Sequence, residues 1–116
     1  MLKKFSVRVL GLVVLGAALV GVSCGGQALE DITPAIGVDQ VTVVDDKYEP
    51  RVVQVSQGTT VTWTWEGSRR HNVVGEGFQS ELQAEGTFSH TFETPGFYRY
   101  LCTLHGGMTG AVTVTE

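Results

Sequence analysis

Gly96-Phe97-Tyr98-Arg99-Tyr100-Leu101-Cys102-Thr103-Leu104-His105-Gly106-Gly107-Met108-Thr109-Gly110 is the stretch around which the rest of this 116-residue chain is read. It begins as a β-strand, passes through a tight loop and leaves toward a last strand. Cys102, His105 and Met108 stand three residues apart. Neighbouring Cα atoms are about 3.8 Å apart, so the chain must curl sharply to aim all three side chains at one point. Gly106 and Gly107 make such a curl sterically accessible.

A thiolate, an imidazole and a thioether form an uncommon donor set. Soft sulfur ligands select copper(I), and imidazole suits copper in both oxidation states. Zinc takes Cys, His and carboxylates, so Met108 argues against a structural zinc site. Two His, one Cys and a weak axial Met make up the electron-transfer copper arrangement. The loop supplies only one His, so the second must come from elsewhere in the chain.

With these residues in view, the loop and the Gly-Phe-Tyr-Arg-Tyr strand before it resemble the ligand loop of the cupredoxins, the small blue-copper proteins of the plastocyanin, amicyanin and pseudoazurin group. The Cys-x-x-His-x-x-Met spacing is closer to amicyanin and pseudoazurin than to plastocyanin. The upstream His of that family is commonly followed by Asn, and His71-Asn72 matches it. The resemblance runs from about Val38 to Glu116. It implies a single copper ion held by His71, Cys102, His105 and Met108. Cys102 and the two His would be the strong equatorial ligands and Met108 the long axial one. It also implies that Asn72 ties the two ligand-bearing segments together, and that His105 is the surface port for electrons. Gly106 departs from the pattern, because relatives with this loop often carry Pro there.

Outward from the loop, the chain is a series of short β-rich runs broken by turn residues. Val41-Thr42-Val43-Val44 is closed by Asp45-Asp46, and Val52-Val53-Gln54-Val55 by Gln57-Gly58. Pro50 lacks a ladder donor and belongs at a strand start or edge. Thr59 to Trp65 sets Val61, Trp63 and Trp65 against Thr60, Thr62 and Thr64, the alternation of a strand with one buried face. Trp63 reads as core; Trp65 reads as core or rim, with docking as the alternative. Phe78 and Leu82 are the expected anchors of the Gly75–Gly86 connection. His90 shares parity with Phe88 and Phe92, has no soft neighbour and reads as a strand residue rather than a ligand. Ala111 to Thr115 alternates again. Six to eight such strands predict an all-β fold, an antiparallel Greek-key sandwich of cupredoxin type.

The first 23 residues read differently. Lys3, Lys4 and Arg8 precede an apolar run, Val9 to Val22, which together have the form of an export signal. The run is shorter than the roughly 18 or more apolar residues of a spanning helix. Gly21-Val22-Ser23-Cys24 resembles a bacterial lipoprotein processing site with Cys24 as the lipidated residue, although Gly21 replaces the usual Leu. Ordinary signal cleavage near this point is the alternative. Residues 24–37 read as a flexible tether of roughly 20 Å, with an early strand of the sandwich over Ala35 to Val38 as the alternative, and residues 38–116 as the folded domain.

Removing Lys3, Lys4 and Arg8 leaves five basic residues against twelve acidic ones, a formal charge of −7. That balance argues against nucleic acid, which wants a basic face. With Cys24 lipidated, Cys102 is the sole thiol, and metal binding is a reason to keep one in an oxidising compartment. No general base, open metal position or substrate pocket is legible. The expectation is therefore a monomeric, non-enzymatic, extracytoplasmic one-electron carrier using Cu(I)/Cu(II). It would work between a redox donor and a redox acceptor protein, at a membrane through lipid on Cys24. A copper carrier, chaperone or storage protein is the alternative; a multicopper oxidase domain would need more than three His.

Overall fold

The computed structural model describes residues 28–116. The expected export signal and Cys24 lie outside the described residues.

Two sheets pack face to face. Strands β1 (Ala35–Ile36), β4 (Val52–Ser56), β10 (Thr109–Thr115), β9 (Gly96–Leu101), β6 (Val74–Gly75) and β7 (Phe78–Gln79) form the first, in that spatial order. Strands β3 (Lys47–Glu49), β2 (Gln40–Val44), β5 (Thr59–Trp65) and β8 (Thr87–Phe92) form the second. The alternation in the sequence decides which residues face inward. Val41 and Val43, Val53 and Val55, Val61, Trp63 and Trp65, and Val112 and Val114 all enter one core. Trp63 sits at its centre, with ring centroids of Phe78, Phe88, Phe92 and Tyr100 between 5.4 and 6.4 Å away.

The sandwich is thus as expected, but its sheets are mixed rather than antiparallel. β1 and β10 both run parallel to β4, and β2 runs parallel to β5. The reason is topological. Parallel neighbours cannot be joined by a tight hairpin, and here the connections cross between the two sheets.

Two other expectations need correction. Leu82 is exposed, so of the two expected anchors of the Gly75–Gly86 connection Phe78 enters the core and Leu82 does not. The expected tether over 24–37 is also packed where it is described. Leu29, in a short 3-10 turn over Leu29–Asp31, is buried against Val52 and Ala111 on the outer face of the first sheet. Glu30 pairs with Arg99, and Ala35–Ile36 follows the alternative reading, adding an edge strand to Val53–Gln54. A buried leucine and a strand pairing outweigh the Gly/Pro composition of this stretch.

Candidate metal centre

The loop between β9 and β10 gets its shape from the hairpin beneath it. Leu101 pairs with Thr109 as the last ladder step, and one residue further the Cys102 amide donates to the Met108 carbonyl at 3.0 Å. Cys102 and Met108 therefore face each other across the loop base, and His105 lies at the turn between them. The Met108 amide donates to the His105 carbonyl at 3.2 Å, which tightens that turn. Gly107 takes φ +82°, a left-handed conformation that a residue with a Cβ adopts only at a cost. Cys102 and Met108 are buried; His105 keeps about a quarter of its side chain exposed.

His71 comes from the other side, between β5 and β6. Its backbone makes both hydrogen bonds of an antiparallel bridge with Gln83, at 3.0 and 3.1 Å. The Trp65 indole N–H donates to the same His71 carbonyl at 3.0 Å. Trp65 is accordingly buried, and its task is to fix the backbone of His71. Next to it, Asn72 Oδ1 accepts from the Thr103 amide at 2.9 Å, and Asn72 Nδ2 donates to Thr103 Oγ1 at 2.9 Å. One amide side chain thus joins the His71 segment to the residue after Cys102. The buried Tyr48 hydroxyl donates to the Asn72 carbonyl at 2.6 Å, and burial pushes its phenol pKa up, so it stays a donor.

These supports bring three donor atoms to one point. His71 Nδ1 and His105 Nδ1 are 3.1 Å apart, and Cys102 Sγ lies 3.9 Å from the first and 3.6 Å from the second. Nitrogen and sulfur donors about 2.0 and 2.3 Å from one ion, at near-tetrahedral to trigonal angles, stand about 3.3–3.7 Å apart. The sides of 3.1, 3.6 and 3.9 Å lie within about 0.2 Å of that range, so one ion fits among the three donors after a small movement. Among the described residues, this is the group of His, Cys and carboxylate side chains that converges in this way. Met108 is buried at the foot of the same loop. His90 lies elsewhere, stacked on Phe78 at 5.0 Å and edge-on to Phe92 at 4.8 Å.

Two residues here were not singled out from the sequence. Asp45 Oδ1 stands 3.1 Å from His71 Nε2, and Asp46 Oδ1 stands 3.5 Å from His105 Nε2. The Asp45 carboxylate also accepts from the Arg69 and Ser68 amides and from Ser68 Oγ. Those bonds, the Arg69 amide first and His71 second, hold its pKa far below the usual carboxylate range. In the sequence, Asp45-Asp46 is indistinguishable from any polar turn that closes a strand. Its only signal was position, one turn beyond a strand that pairs with the one leading to His71.

A β-sandwich carrying two imidazoles and one buried cysteine sulfur around a common point, with a thioether in the same loop, defines the class: small single-copper proteins. Residues 37–115 match the family described as copper binding proteins, plastocyanin/azurin family, and the chain belongs to it. A halocyanin from Natronomonas pharaonis is 42% identical over 100 residues, covering 72% of this chain and 61% of that protein. The chain therefore spans less than two thirds of that relative's length. Amicyanin-alpha from Methylorubrum extorquens is 34% identical over 96 residues, covering 75% of this chain and 81% of that one. Among solved structures, a purple cupredoxin from Nitrosopumilus maritimus superposes with a TM-score of 0.63 at 29% identity. That match covers 67% of this chain and all of the other. Copper is the metal of this family, whose members are in general electron carriers.

Proposed function

We propose that the protein is an extracytoplasmic one-electron carrier, not an enzyme, with His71, Cys102, His105 and Met108 as its copper ligands. The observation that carries this reading is the triangle of Nδ1, Nδ1 and Sγ atoms at 3.1, 3.6 and 3.9 Å. Copper held there supplies the Cu(I)/Cu(II) couple. The chain's own residues do the rest. Gln83, Trp65, Asn72 and Thr103 fix both halves of the donor set before the ion arrives. Such a preset geometry suits an ion that changes valence. His105, partly exposed between Leu104 and Gly106, is the port through which electrons enter and leave. No Cβ at Gly106 or Gly107 would meet a neighbour within 4 Å, so this rim is low and bare. Redox proteins are the partners, docking over His105, and the working form is a monomer.

Export and lipidation at Cys24 complete the reading. Ala28 is the first described residue, and the four residues from Cys24 reach at most about 14 Å. Leu29 and Glu30 pack beside Arg99 and Ala111, near the copper end of the first sheet. A bilayer anchor at Cys24 therefore keeps that end close to the membrane, where a membrane-bound partner is within reach.

The deciding measurement is the absorption and electron-spin-resonance spectrum of the copper(II)-loaded protein. An intense visible sulfur-to-copper band with narrow copper hyperfine splitting is expected. A pale spectrum, or immediate loss of the ion to a mild chelator, would turn the reading toward copper delivery. The intact mass of membrane-extracted protein tests the lipid on Cys24.

A further inference from the structure

Both histidines present Nδ1 to the centre, and behind each ring stands a carboxylate from one two-residue turn. Asp45 meets His71 Nε2 at 3.1 Å and Asp46 meets His105 Nε2 at 3.5 Å. The turn is built for this placement. Asp46 adopts φ +68°, which Asp tolerates better than most residues. The chain at Gly67-Ser68-Arg69 wraps so closely around Asp45 that a Cβ on Gly67 would collide with Asp45 Oδ1. Ser68 and Arg69 amides and Ser68 Oγ then occupy the carboxylate's remaining lone pairs. The remaining polar atom at Asp45 Oδ1 is His71 Nε2.

We propose that Asp45, assisted by Asp46, is a positioning residue that holds the histidines as Nδ1 donors and lowers the reduction potential by favouring the divalent ion. An imidazole has two nitrogens, and the hydrogen bond made by one decides which is free to bind. An Nε2–H donated to a carboxylate leaves Nδ1 with its lone pair and raises the basicity of the ring. A more basic donor and a nearby negative charge stabilise copper(II) more than copper(I). His71 is fully buried, whereas the Asp45 carboxylate is about one third exposed, so water screens their contact from the carboxylate side only. Asp46 is more exposed and shares its charge with Arg69 at 3.5 Å, so its effect is the smaller one. Arg51, Arg70 and Lys47 are the other cations of this region; Arg51 lines one cavity with Asp46 and Met108 and is bonded to Thr109, and Lys47 is paired with Glu49.

The inference rests on His71 and His105 being the copper ligands. Its test is the reduction potential of copper-loaded wild-type, D45N and D46N protein by film voltammetry. Removing an outer partner of a metal ligand costs about tenfold or more in affinity. Placed on copper(II) alone, a tenfold loss raises the potential by about 59 mV in D45N. A smaller rise is expected in D46N. An unchanged potential in D45N, with the blue band intact, overturns the proposal and leaves the ligand assignment standing. Absence of the blue band in the wild type overturns the assignment itself. Should D45N not retain copper, nitrogen NMR of the metal-free wild type decides. A proton on His71 Nε2 supports the proposal; a proton on Nδ1 overturns it.

Discussion

His71 and His105 turn the same atom toward the same point, yet the chain holds them in opposite ways. His71 is fully buried, with its amide and carbonyl bonded to Gln83, its carbonyl also to Trp65, and its ring to Asp45. His105 sits on a loop with exposed Leu104 on one side and two glycines on the other. Its backbone carbonyl accepts from the Met108 amide, and its ring faces a solvent-exposed carboxylate. The difference separates two requirements. An ion that changes valence needs donors that do not move, whereas electron transfer needs one donor close to the outside. Under the proposed function, one half of the centre serves the first need and the other half the second.

Cys102 belongs to both halves, and its loss is expected to have the largest effect. Cys102→Ser should abolish the intense visible band at any copper concentration, as absorption spectroscopy will show. The two histidines should then part company. In His105→Gly, free imidazole can reach the gap from solvent and is expected to restore the band. In His71→Gly the gap is closed over, and added imidazole should restore nothing; equal rescue of both would erase the distinction drawn here.

Asn72→Ala strikes the link between the halves. It leaves the Thr103 amide without its acceptor and should lower stability by about 1–3 kcal/mol, read from denaturant unfolding of the metal-free protein. A smaller effect distinguishes the two loop glycines. Gly107→Ala forces a Cβ into φ +82° and should cost about 1–2 kcal/mol. Gly106→Ala, in open space at an ordinary φ, should be nearly neutral.

The smallest effect concerns acid. The folded pKa of Asp45 lies below its ordinary value of 3.8, so its stabilisation is complete above that value and is lost as the pH falls toward the folded one. The difference in melting temperature between metal-free wild type and D45N should therefore be constant near neutrality. It should begin to shrink below about pH 4.

Much of this centre was legible in the chain. Strand alternation over Thr59–Trp65 and Val112–Thr115 predicted which faces are buried, because side chains in a strand point alternately to the two sides. Cys102, His105 and Met108 could be read together because a soft donor set is chemically distinctive at any spacing that a turn can close. The pairing of His71 with that loop needed the resemblance carried by His71-Asn72, since no local rule connects residues 71 and 102.

The residues that escaped are those whose meaning lies entirely in a distant partner. Asp45 and Asp46 read as turn residues, Trp65 as rim or core, and Leu29 as part of a tether. Each gains its role through contacts 6 to 82 positions away: Trp65 with His71, Asp45 with His71, Asp46 with His105, and Leu29 with Ala111. The chain by itself determined the chemistry of the donors and the faces of the strands, because both follow from side-chain identity and period. Only the tertiary structure decided the mixed sheets, the packed N-terminal segment and the carboxylates behind the histidines. These depend on which strand ends the crossovers bring together, and a polar turn carries no local mark of what will stand opposite it.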